Sequence, residues 1–110
     1  MTVFQCADNG AELSFSATGH AGFARPGEPD IVCASVSTLV SLLAELVLRA
    51  HGEANTTVIL EPGEVFISAP ATATLRQQFQ VVVTGLEMLA EQYPNHVRFA
   101  HLRAEKEIDR

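Results

Sequence analysis

Cys33 and His20 are the two side chains in this sequence best suited to nucleophilic chemistry. The reactive form of cysteine is the thiolate, and an accessible cysteine in the first turn of a helix ionises more readily because unpaired amides and the helix dipole favour negative charge there. A helical apolar pattern starts just after Asp30. With Asp30 as N-cap, Cys33 is the third helical residue, and the amides of Val32, Cys33 and Ala34 lie where they can also hold an oxyanion. A thiolate nucleophile needs a partner that takes its proton and returns it to the leaving amine, a task that suits the ordinary pKa of histidine. His20 lies just past a predicted strand, and the turn-rich loop after it is able to fold back to the helix start.

Each of these residues also has a plainer role. Cys33 reads as a small buried apolar side chain, and His20 as a surface or capping histidine, because an isolated Cys and His have no fixed spacing. A loop of about a dozen residues without structure of its own is uncommon unless it is functional or mobile. Asp30 is an ordinary N-cap or the group that orients His20, and the two roles are compatible. Ser37, one turn after Cys33, either lines the site or bonds back to its own helix. Cys6 packs in the first strand, with nothing basic or helix-initiating around it. His51 suits the C-terminal end of a helix, while His96 and His101 match no ligand spacing, so no metal site is expected.

The elements that must position this pair follow from periodicity. Residues 2–6 and 11–18 flank Asp8-Asn9-Gly10, and Leu13, Phe15 and Ala17 alternate with polar residues, which predicts a β-hairpin with one solvated face. Gly19, Gly22, Pro26, Gly27 and Pro29 make the following stretch a loop. Val32, Val36, Leu39, Val40, Leu43, Val47 and Ala50 recur at helical spacing up to Gly52. Leu42, Leu46 and Leu48 widen the apolar arc of this helix enough to serve both a sheet and a second chain. Residues 56–60 and 64–68 surround Glu61-Pro62-Gly63 as a second hairpin, closed by Pro70. A second amphipathic helix runs from Leu75 to Tyr93, ended by Pro94-Asn95. Residues 97–102 form a last strand, and 103–110 a charged tail. The expected fold is α+β, a two-layer sandwich of order ββαββαβ with two long helices on one sheet, a single domain over 1–102.

Composition narrows the partners. The 110 residues carry 7 Lys plus Arg against 13 Asp plus Glu, a net charge of −6 that opposes phosphate-backbone binding, so direct nucleic-acid binding is not expected. Opposite charge does favour encounter with a basic protein. With 47% hydrophobic and 18% charged residues the chain is globular. The N-terminus lacks a basic segment leading into an apolar run, and the stretch Val36 to Leu48 is too short to cross a bilayer, so neither export nor a membrane is indicated. Two cysteines are too few for a disulfide framework, and reduced thiols in the cytoplasm are expected.

Gly19-His20-Ala21-Gly22-Phe23, followed by Asp30-Ile31-Val32-Cys33-Ala34-Ser35-Val36-Ser37, resembles the ribosomal-processing cysteine protease family known as Prp. Gly85-Leu86-Glu87-Met88-Leu89-Ala90-Glu91-Gln92-Tyr93-Pro94 is similar to the same family, and the element order agrees over all but the tail. The resemblance implies that His20 and Cys33 form the catalytic pair; Asp30, Ser37, Ala34 and Gly19 are the expected supporting or substrate-binding residues beside it. It also implies a homodimer without cofactor that removes a short, Phe-rich N-terminal extension from a large-subunit ribosomal protein. Ala24-Arg25-Pro26-Gly27-Glu28-Pro29 is more proline-rich than that pattern, which restricts the loop. A non-catalytic, ribosome-associated peptide-binding module of the same fold is the alternative. A thiol-redox or acyl-transfer enzyme is a weaker one, since Cys33 has no neighbouring resolving cysteine.

Overall fold

The computed structural model describes residues 1–100, in the order β1 (Thr2–Asp8), β2 (Glu12–Thr18), α1 (Ile31–His51), a 3-10 turn (Glu53–Asn55), β3 (Thr57–Glu61), β4 (Glu64–Pro70), α2 (Ala73–Gln92) and β5 (Val97–Phe99). This is the ββαββαβ order read from the sequence. The expected tail at 103–110, and the end of the last predicted strand, fall outside the described residues.

The five strands form one sheet in the order β3-β4-β2-β1-β5, antiparallel except for β5, which runs parallel to β1. The first hairpin turns where predicted because two short side chains satisfy its amides. Asp8 Oδ1 accepts from Gly10 N at 2.9 Å, and Asn9 Oδ1 from the amides of Ala11 and Glu12 at 2.9 and 2.7 Å. β1 runs two residues further than its apolar pattern predicted, since Ala7 and Asp8 keep pairing with Ser14 and Leu13.

Register brings Phe4 beside Ala17, Phe15 beside Ile67 and Leu13 beside Ala69, all on the face covered by the helices. Val32, Val36, Val40, Leu43 and Val47 of α1 and Leu75, Phe79, Val82 and Leu86 of α2 complete the core. Each fully buried side chain of this size is worth about 1.5–3 kcal/mol. The rings of Phe4 and Phe15 meet at 5.8 Å between centroids.

Asp30 caps α1 and Thr72 caps α2, each through its side chain to the amide three residues on. At the far end of α1, His51 Nε2 donates to the Pro70 carbonyl at 2.9 Å, which ties the helix terminus to the end of β4. α1 extends beyond the apolar stretch expected to be too short for a bilayer. Its 21 residues are long and apolar enough to span one by length and composition alone. Here one side of it is instead buried on the sheet.

Candidate active site

The hairpin β1–β2 delivers His20 and the cap of α1 delivers Cys33. Both line one cavity of about 380 Å³, together with Gly19 and Ser37. Cys33 is half-buried in the first turn of α1 and is a free thiol. Cys33, Ser37 and Ser41 follow one another at successive turns along one wall, with Val36 and Val40 between them. The opposite wall is the second hairpin, contributing Leu60 and Val65 from β3 and β4 and the turn Glu61-Pro62-Gly63-Glu64. The site is therefore an apolar trough beside a thiol and an imidazole, with two carboxylates at its rim.

Asp30 works harder than a simple cap. Its Oδ1 accepts from Cys33 N at 2.8 Å, while Oδ2 accepts from the amides of Phe23 and Ala24 at 2.9 and 3.2 Å. One carboxylate thus holds the helix start and the loop after His20 together. The Cys33 amide above all, with those of Ala24, Phe23 and Val32, holds its carboxyl below the usual carboxylate range against an opposing desolvation. These bonds alter one expectation. The Cys33 amide is taken by the Asp30 carboxylate and the Ala34 amide by the Asp30 carbonyl at 3.0 Å. Neither is open to hold an oxyanion in this conformation, because a cap consumes the donors that the bare first turn of a helix would offer. The helix dipole still acts on Cys33.

The loop from 19 to 30 is fastened at several points. Ala21 is buried and its carbonyl accepts from His96 Nδ1 at 2.9 Å. The Phe23 ring meets Tyr93 and His96 edge-on, each at 5.4 Å between centroids. His96 thus has a structural task that its lack of ligand spacing did not reveal. The proline-rich part closes on itself, Glu28 N donating to Arg25 O at 3.0 Å, with Gly27 at φ +87°. Ser35 and Thr38 bond back to the carbonyls one turn earlier, whereas Ser37 faces the cavity.

Reading by periodicity missed the second hairpin as part of the site. Leu60, Gly63 and Val65 belong to a turn and strands recognisable in sequence, but nothing local says that β4 pairs with β2 and so brings that turn beside His20. Cys6 lies on the helix-facing side of β1 at its exposed end. Desolvation by the atoms crowding the sulfur pushes its thiol up to about 11, and the Glu87 carboxylate adds to this. A thiol raised in this way holds little thiolate at neutral pH and is a poor candidate for the nucleophile. Among the described residues no cluster of three or more potential metal ligands occurs.

The profile of the cysteine protease Prp family matches residues 1–98. Among solved structures, the ribosomal processing protease Prp of S. aureus, bound covalently to a product peptide, superposes with a TM-score of 0.73 at 18% identity. That match covers 90% of this chain and 97% of the other. The same S. aureus protease with a substrate peptide gives 0.69 at 17% identity, over 90% and 97% of the two chains. SMU.848 from Streptococcus mutans gives 0.63 at 28% identity, over 90% and 91%. No curated protein matches. The structural likenesses establish a shared fold, and the family match covers every element except the end of the last strand.

Proposed function

The chain belongs to the cysteine protease Prp family, and from that premise we propose that it is an endopeptidase in which Cys33 is the nucleophile and His20 its general base. The observation that carries this reading is the convergence of both side chains on a single apolar cavity. His20 takes the thiol proton, and Cys33 Sγ attacks the scissile carbonyl carbon, forming a C–S bond. The tetrahedral intermediate collapses as the C–N bond breaks and His20 returns the proton to the leaving amine. Water, deprotonated by the same imidazole, then attacks the thioester and frees the thiol. The dipole of α1 favours both the thiolate and the developing oxyanion. Asp30 and Gly19 hold the two halves of the site in register, and Ser37 contacts the bound chain.

The substrate is the N-terminal extension of a basic, large-subunit ribosomal protein, cleaved during ribosome maturation in the cytoplasm. The S. aureus relative is a ribosomal processing protease, the walls formed by Val36, Val40, Leu60 and Val65 suit a Phe-rich segment, and Glu61 and Glu64 face a cationic partner. The protein acts as a homodimer. Leu42, Val81 and Met88 stand 45%, 70% and 55% exposed on the helical layer, a surface that a second copy covers. No metal or organic cofactor takes part.

The test is to incubate the purified protein with the precursor ribosomal protein of the same organism and weigh the products. Cys33→Ala should abolish cleavage with an unchanged circular dichroism spectrum and melting temperature. Cleavage by the folded variant would remove Cys33 from the chemistry, and peptide binding without turnover by the unmodified chain would make the fold a binding module.

A further inference from the structure

Among the described residues no side chain hydrogen-bonds His20, and a backbone, that of Gly63, sits against its ring. In the β3–β4 turn Gly63 has φ +75°, and an ideal Cβ built there would stand 2.9 Å from His20 Nε2, 3.4 Å from Cε1 and 3.6 Å from Cδ2. The Gly63 carbonyl also accepts from Gly19 N at 3.0 Å, so the same residue grips the backbone next to the histidine. Gly19 itself is at φ +87°, with no room for a side chain beneath the Met1 carbonyl. The imidazole thus lies against the bare face of Gly63, and the backbone just before it is tied to the same residue. Both contacts come from a hairpin far away in sequence.

We infer that Gly63 is a positioning residue for catalysis: its missing side chain makes the seat of the His20 imidazole, and its carbonyl fixes the strand end from which His20 projects. This inference rests on the reading of His20 as general base. Two physical effects separate at this position. Any L-residue at φ +75° is strained, but only at Gly63 does the added methyl also meet the imidazole. Gly10, at φ +92°, has nothing within 4 Å of the same Cβ. It serves as the control that carries the strain and not the collision.

The experiment uses the full chain in a Cys6→Ser background, so that iodoacetamide reports Cys33 alone. Gly63→Ala should lower kcat about 10- to 100-fold, the scale on which small misplacements of a catalytic group act, with KM changed less than about twofold, the scale expected when binding of the ground state is untouched. Its pH profile of Cys33 alkylation should move towards that of His20→Ala. Gly10→Ala should keep both the wild-type kcat and the wild-type profile.

Melting temperatures read the contact independently of activity. Gly63→Ala should cost more than Gly10→Ala in the wild type. In a His20→Ala background, where the imidazole is gone, it should cost no more than Gly10→Ala. This double variant keeps the inference testable if Gly63→Ala alone does not accumulate folded. A wild-type kcat for Gly63→Ala alongside an inactive His20→Ala would overturn the positioning role, as would an equal melting penalty with and without the imidazole. Full cleavage by His20→Ala would instead overturn the assignment of the base, and this inference with it.

Discussion

The two cysteines of this chain occupy opposite chemical settings. Cys33 lies half-buried beside a cavity at the positive end of a 21-residue helix, while Cys6 is crowded by its surroundings and faces the Glu87 carboxylate, which together push its thiol up to about 11. Thiolate is the species that alkylates, so at neutral pH Cys6 should react slowly and gain rate steadily as pH rises towards its pKa. Peptide mapping after brief iodoacetamide treatment should find label at Cys33 well before Cys6, and Cys33→Ala should leave only the slow, alkaline-rising reaction. Prompt labelling of Cys6 at neutral pH would contradict this. The contrast was legible in sequence, because only Cys33 follows a capping residue. What could not be read was the fate of the first-turn amides, since whether a cap side chain occupies them is decided by its rotamer and not by its identity.

At the scale of elements, the helical layer is closed by a small-residue contact. The helices run antiparallel, the end of α1 meeting the residue chain just ahead of α2 through His51 and Pro70, and Gly85 of α2 faces Leu39 of α1. A methyl added at Gly85 would stand 3.2 Å from both Cδ atoms of Leu39. Two effects oppose: removing glycine from a helix interior gains about 1 kcal/mol, and a slight overpacking must be relieved. Leu39 is only half-buried and its methyls are the mobile end of the side chain, so relief is cheap. Gly85→Ala should therefore stabilise the protein by up to about 1 kcal/mol in urea unfolding. A clear loss would mean that the two helices are unable to part by a few tenths of an ångström. The order of elements, both helices and both hairpin turns were legible from periodicity and turn residues. The pairing of β2 with β4, which assembles the cavity, was not, because strand partners far apart in sequence are chosen by the whole core.

For the molecule as a whole, acid is the condition to which these carboxylates make it sensitive. Hydrogen bonds from Arg76, then from the Gly10 amide, hold the Asp8 carboxyl below its ordinary value of 3.8. The 2.6 Å contact from Arg76 Nε joins the first hairpin to the first turn of α2. A carboxyl whose pKa is lower folded than unfolded stabilises the fold fully above the unfolded value, and that contribution fades as pH falls through the folded one. Stability should therefore decline below about pH 4, and Asp8→Asn should flatten that decline while lowering stability at neutral pH. Urea midpoints measured from acid to neutral pH read both effects; an unchanged acid slope in the variant would show that the ion pair does not couple to folding.

Asp30 divides its work between two oxygens, one for the helix and one for the loop. Asparagine at that position would retain a single acceptor, so cap and loop would become rivals for it. Molecules with an intact helix start would release Phe23 and Ala24, and those with a closed loop would leave the Cys33 amide unbonded. The natural carboxylate escapes that choice, and in doing so it couples the start of the helix to the shape of the loop that follows His20.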